Sequence, residues 1–153
     1  MLLRSLSPTK VFLGYWLPAL IWMGIIFLLS HQKGPDSQEY SRIILYILDM
    51  LHVELDNEGK RWASWLFRKT AHFVEYAVLF FLLFRLMTLY IKYPKSLIIT
   101  LLITIIYAAT DEYHQTFIPG RVGNIGDVGI DALGAICACL YTSYTKRQRE
   151  PDN

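Results

Sequence analysis

Four apolar segments of membrane-crossing length constrain the fold more than any other feature of this sequence. They cover residues 11–30, 71–91, 96–117 and 127–144. About 20 helical residues cross the ~30 Å hydrocarbon core of a bilayer, where only helices and closed barrels satisfy every backbone polar group. The composition, 54% hydrophobic and 18% charged, agrees with such a setting. We therefore predict an all-α membrane protein, a four-transmembrane-helix bundle that forms a single domain over residues 1–153.

The first apolar segment follows Arg4 and Lys10, as the apolar core of a signal peptide follows its basic residues. However, the run is longer than a typical signal-peptide core, and "SHQKG" offers no small-residue cleavage site. We expect an uncleaved span in which Pro18 can introduce a kink.

The long connection between the first two spans contains a further apolar stretch, "SRIILYILDMLHVEL". It is interrupted by Arg42, Asp49 and His52, which fall on one side at helical spacing. This pattern favours an interfacial or re-entrant helix over a fifth span. "DNEG" then predicts a turn, and Trp62 and Trp65 predict an aromatic belt before the second span.

The third span carries acidic residues within its length. Its purely apolar part, "SLIITLLITII", is too short to cross a bilayer, so the helix must continue through "TDEYHQTF". This extension places Asp111 and Glu112 on the span, where an ionised carboxylate costs about 2.5–3.5 kcal/mol. Such groups are expected to face the interior of the bundle and to meet partners there.

Polar residues gather where spans one and three end and where spans two and four begin. In an alternating four-span topology these helix ends all lie on one side of the membrane. The catalytic candidates, if the protein is an enzyme, are His72, Glu75, Asp111 and Glu112, and the ligand-binding candidates are Lys69, His114, Gln115, Arg121, Asp127 and Asp131. The i, i+3 spacing predicts that His72 shares a helix face with Glu75, and Asp111 with His114.

Carboxylates outnumber basic side chains in this cluster. The acids are Glu75, Asp111, Glu112, Asp127 and Asp131, and the bases are Arg68, Lys69 and Arg121. Protonated histidines, shared carboxylate protons or a bound cation could offset the surplus. The candidate metal ligands are His72, Glu75, Asp111 and His114, but a divalent metal is not favoured, because their spacing is not that of a diagnostic zinc motif.

The net charge and the two cysteines of the chain do not indicate any specific partner or disulfide bond. A net charge of +2 without a basic stripe argues against nucleic acid. Cys137 and Cys139 are two residues apart and point to different helix faces, so we interpret them as packing residues.

The basic residues divide evenly between the two sides of the membrane. The short segments flanking span one favour cytoplasmic termini and an extracytoplasmic polar cluster.

Several motifs together resemble the VanZ-like family of bacterial membrane proteins. They are "LLSHQ", "RKTAHFVEYAVL", "DEYHQTFIPGR" and "GDVGIDALGA". The resemblance implies a four-span protein of the bacterial plasma membrane, in a family named for a protein associated with teicoplanin resistance. It also implies that the family's motif positions are Lys69, His72, Glu75, Asp111, Glu112, Gln115, Arg121, Asp127 and Asp131. Many relatives carry Asn at the position of Asp131, which argues against a role that needs a neutral amide there.

Three functions fit these observations. The first is binding of an anionic or lipid-linked envelope precursor, a membrane lipid or a lipoglycopeptide, which would lower susceptibility to teicoplanin-type drugs. The second is a membrane-embedded hydrolase or transferase that uses His/carboxylate acid–base or metal chemistry on an envelope lipid. The third is a component of a proton-coupled transporter, although four spans without an evident inverted repeat argue against a monomeric transporter and leave a dimer open.

Overall fold

The structure is a computed structural model that describes residues 7–32, 45–53 and 55–149. Its long helices are α1 (Pro8–Ser30), α2 (Asn57–Met87), α3 (Lys95–Gln115) and α4 (Ile125–Arg149). Each is long and apolar enough to cross a membrane, and no strand occurs among the described residues. The predicted all-α fold with four transmembrane helices is therefore confirmed, and the chain is a multi-pass membrane protein.

Helix α1 contains a π-helical turn just before its proline. Residues Phe12–Trp16 form this turn between the α-helical segments Pro8–Val11 and Leu17–Ser30. Pro18 has no N–H group, and its ring crowds the carbonyl group four residues earlier. The wider π turn is a common way to accommodate such a defect, so the irregularity expected at Pro18 lies in the turn that precedes it.

Helix α2 begins well before the apolar segment that marks the second span. Asp56 caps its first turn by accepting a 2.7 Å hydrogen bond from the Gly59 N–H group. The prediction of a turn at "DNEG" was therefore wrong, because this acid starts a helix. With 31 residues, α2 is roughly 46 Å long, so it extends beyond a ~30 Å hydrocarbon core. The extension carries Trp62 and Trp65, which are both exposed.

A helical segment that includes residues 45–50 precedes α2. It ends in a Schellman motif: the Val53 N–H group donates to Leu48 O, the His52 N–H group donates to Asp49 O, and His52 has a φ of 57°. The rest of the predicted loop helix, with Arg42, lies outside the described residues.

Helix α2 packs against the other three helices and supplies the centre of the core. Its side chains Tyr76, Leu79 and Phe80 are fully buried. On α4, Gly134 lies against the backbone of Phe73, where a Cβ atom would collide with the Phe73 carbonyl group. Such a close approach is typical of small residues at contacts between membrane helices, and it holds the polar end of α4 against that of α2.

Candidate functional site

The polar ends of α1 and α3 are joined by a short hydrogen bond. Ser30 Oγ, at the end of α1, donates to Asp111 Oδ2 across 2.6 Å. Both side chains are buried. Asp111 therefore meets a partner inside the bundle, as a carboxyl group on a span requires.

The polar ends of α2 and α4 are joined by two contacts. Lys69 forms an ion pair with Asp127, and both side chains are largely shielded from solvent. One turn further along each helix, His72 Nδ1 lies 3.2 Å from Asp131 Oδ1. At the start of α4, the Asn124 side chain accepts a 2.9 Å hydrogen bond from the Gly126 N–H group.

Gln115 connects the acids of α3 to the loop that follows. Its Nε2 group donates to Asp111 Oδ2 at 3.2 Å and to Glu112 Oε1 at 3.0 Å. Its Oε1 atom accepts a 2.8 Å hydrogen bond from Arg121 Nη1. The sequence predicted Gln115 as a ligand-binding residue, and the structure also gives it a bridging role between two acids and a base.

The loop after α3 turns sharply to bring Arg121 back over the site. The Arg121 N–H group donates to Ile118 O at 3.1 Å, and Gly120 has a φ of 79°. Proline followed by a glycine of positive φ is the pattern of a type II turn. Arg121 Nη2 also reaches Leu29 O, the carbonyl oxygen of α1, at 3.4 Å. Burial lowers the pKa of Arg121, while the nearby Glu112 and Asp111 act in the opposite direction.

Two further loop residues, neither of them among the predicted site residues, hold Glu112 in place. The Asn124 N–H group donates to Glu112 Oε2 at 3.0 Å. Gly123 allows this approach, because a Cβ atom there would lie only 2.6 Å from Glu112 O. The second glycine of "PGRVGN" was the available signal, since a glycine near a helix end often marks close backbone contact.

A cavity of about 300 Å³ lies between the loop and the start of α2. Its lining consists of Trp65, Arg68, Lys69, His72, Gln115, Gly120, Arg121, Val122, Asn124 and Asp127. Three of these residues are basic and one is acidic, so the lining carries a net positive charge when His72 is neutral. Within residues 7–32, 45–53 and 55–149, neither Arg68 nor Arg121 forms an ion pair with a carboxylate.

Two predicted site residues lie apart from this hydrogen-bond network. The ring of His114 packs against those of Phe27 and His31, with centroid distances of 4.7 and 5.4 Å. Glu75 is partly buried and binds Trp22 Nε1 only through its backbone carbonyl, at 2.9 Å. Its carboxyl group has no hydrogen bond or ion pair with the part of the chain that the structure describes.

A group of potential metal ligands lies beside the cavity and differs from the set expected from spacing. His72, Glu112 and Asp131 each offer one donor atom, and these atoms lie within 4.8 Å of one another. Of the four candidate ligands only His72 belongs to this group. Glu75, Asp111 and His114 belong to no such group of three or more within the described residues.

Comparison with known proteins identifies the family. A family model described as VanZ/LLP1 matches residues 15–145, which include most of α1 and α4, all of α2 and α3, and the whole polar cluster. No curated protein and no solved structure matches the chain. The family match covers most of the sequence, and the chain therefore belongs to the VanZ/LLP1 family.

Proposed function

We propose that this protein binds the anionic headgroup of a lipid or lipid-linked envelope component in the cavity beneath Arg121. Binding of this component would lower susceptibility to teicoplanin-type lipoglycopeptides. The observation that carries the proposal is the environment of the Arg121 guanidinium group. It lines the cavity and is held by two uncharged oxygens, Gln115 Oε1 and Leu29 O.

This environment suits a charged ligand. A guanidinium group has five N–H donors, and Arg121 uses two hydrogen bonds for anchoring. The remaining donors form no hydrogen bond with the described residues, and they can bind a phosphate or carboxylate with charge-assisted hydrogen bonds. Because burial lowers the pKa of Arg121, a bound anion would also relieve the cost of holding its charge away from water.

The size of the cavity favours a headgroup over a whole lipid. Its volume of about 300 Å³ is at the lower end of the range for small-molecule sites. Acyl chains would therefore lie outside it, against the lipid-facing surface of the helices. Trp65 lines the cavity and is 42% exposed, so it can contact both a headgroup and the membrane interface, as aromatic belts do.

The proposal includes a location in the bacterial plasma membrane, with cytoplasmic termini and an extracytoplasmic cavity. The basic residues divide evenly between the two sides, so the orientation rests on the short segments flanking α1, which favour cytoplasmic termini. This orientation would expose the cavity to the compartment that a lipoglycopeptide reaches first.

Lipid analysis of protein purified from its own membrane tests the proposal. Arg121→Gln should lose co-purified anionic lipid or lipid-linked phosphate, measured by mass spectrometry. Arg147→Gln, which removes a base from the opposite end of the bundle, should retain it. In cells, Arg121→Glu should abolish any protection against teicoplanin, while Glu75→Gln should leave it intact. Retention of the same lipids and the same protection by the Arg121 variants, at equal protein level, would contradict the proposal.

A further inference from the structure

Three helices bring one potential metal ligand each to a single buried point beside the cavity. His72 comes from α2, Glu112 from α3 and Asp131 from α4, and their donor atoms lie within 4.8 Å of one another. We propose that these three residues bind a divalent transition-metal ion of the Zn²⁺ or Mn²⁺ class. This inference does not rest on the proposed anion binding.

Asp131 has an ion-pair contact with His72 but no hydrogen-bond partner among the described residues. Its side chain is fully buried, at 0% exposure, and neither carboxyl oxygen has a hydrogen-bond partner among the described residues. His72 Nδ1 lies 3.2 Å from Asp131 Oδ1, but it also lacks a hydrogen bond of acceptable geometry. Buried polar groups without partners are rare because each is costly. A cation between these atoms would satisfy them together.

Glu112 is already oriented by hydrogen bonds to residues outside the proposed metal site. Gln115 Nε2 donates to its Oε1 atom, and the Asn124 N–H group donates to its Oε2 atom. Metal-binding carboxylates are commonly held by such outer hydrogen bonds, which fix their direction. Each oxygen keeps a further lone pair that can bind an ion.

The negative charge of the buried acids also favours a bound cation. Asp111, Glu112 and Asp131 are all at least 95% buried, whereas Arg121, the nearest loop base, is only half-buried. A divalent ion among these acids would offset two negative charges where they are least shielded by water.

The ligand types select the class of metal. An imidazole nitrogen with two carboxylate oxygens suits Zn²⁺ or Mn²⁺, while Ca²⁺ and Mg²⁺ prefer oxygen ligands alone. Ligand bonds of 2.0–2.2 Å would place the donor atoms about 3.5 Å apart, so modest side-chain rotation must close the observed separation of up to 4.8 Å. Three protein ligands leave a position open, and His72 also lines the cavity.

Metal binding by the purified full-length protein tests this inference. The protein, stripped with a chelator in mild detergent, is titrated with Zn²⁺ or Mn²⁺ alone, and bound metal is measured by mass spectrometry and calorimetry. We expect one ion per chain and an affinity that falls by at least about tenfold in Asp131→Asn. Glu75→Gln is the matched control, because it removes an acid one turn from His72 that lies outside the group.

Thermal unfolding separates a lost ligand from a misfolded variant. The wild type and Glu75→Gln should gain a few degrees of Tm with metal, since a ligand of the folded state stabilises it. Asp131→Asn and His72→Gln should unfold cooperatively with a Tm that metal does not change. Absence of stoichiometric metal in the wild type, or equal affinity in the Asp131 and His72 variants, would overturn the inference. An infrared band of a protonated carboxyl group that persists in the wild type with metal added, and is absent from Asp131→Asn, would also overturn the inference, because a protonated Asp131 is not a metal ligand.

Discussion

Gln115 accepts a 2.8 Å hydrogen bond from Arg121 and uses its other amide atom to bind two acids of α3. This arrangement joins the base over the cavity to the buried carboxyl groups behind it. A change at either Gln115 or Arg121 is therefore expected to alter both the position of the loop and the positions of the acidic side chains of α3.

Gln115→Leu should destabilise the protein by about 2–3 kcal/mol, because it removes three hydrogen bonds and leaves buried partners unsatisfied. The free energy of unfolding, measured by denaturant titration in mild detergent, gives the comparison. Gln148→Leu is a suitable control, since Gln148 is exposed near the far end of α4 and should change stability by less than about 0.5 kcal/mol. Equal effects of the two substitutions would show that the bridge contributes no stability.

The Lys69–Asp127 ion pair should show coupling between its partners. Lys69→Gln or Asp127→Asn alone should each cost about 1–3 kcal/mol, between the values typical of exposed and of buried pairs. The double variant should lose less than the sum, because neither charge then remains unpaired. A double-mutant cycle of unfolding free energies measures this, and strict additivity would argue against a stabilising pair.

Gly134→Ala should weaken the contact between α2 and α4. The added Cβ atom would collide with the Phe73 backbone, and overpacking of this kind costs about 1–3 kcal/mol. Gly129→Ala, on the same helix, meets nothing within 4 Å and should be neutral or stabilising, because alanine favours helix. The Tm values of the two variants, measured in detergent, test this: we expect the Tm of Gly134→Ala to lie below that of Gly129→Ala. An unchanged Tm in Gly134→Ala would contradict the close packing.

The topology and the polar cluster could be predicted from the sequence because both depend on position along the chain. The lengths of the apolar segments predicted four membrane-spanning helices. Because the apolar part of the third helix is too short to cross a bilayer, the acids within "TDEYHQTF" had to lie on that helix. Glu112 and Gln115 are also three residues apart, a spacing that places both on one helix face, and they are hydrogen-bonded in the structure.

The partners of individual side chains could not be predicted, because spacing does not determine how each helix is rotated against its neighbours. Asp111 and His114 are three residues apart and were predicted to share a helix face. In the structure, however, Asp111 binds Ser30, while the His114 ring packs against Phe27. The group of His72, Glu112 and Asp131 depends on three such rotations at once. The contact of Asn124 with Glu112 depends in addition on a loop whose path is set by its glycines.

The most direct test of the central claim is the affinity of the cavity for a soluble anionic headgroup. Protein in neutral detergent is titrated by calorimetry with dihexanoyl phosphatidic acid, and with dihexanoylglycerol as the matched molecule without phosphate. We predict saturable binding of the phosphate lipid alone, weakened by salt and by at least about tenfold in Arg121→Gln, but unchanged in Arg147→Gln. Equal binding of the two lipids, or undiminished binding by Arg121→Gln, would contradict the claim.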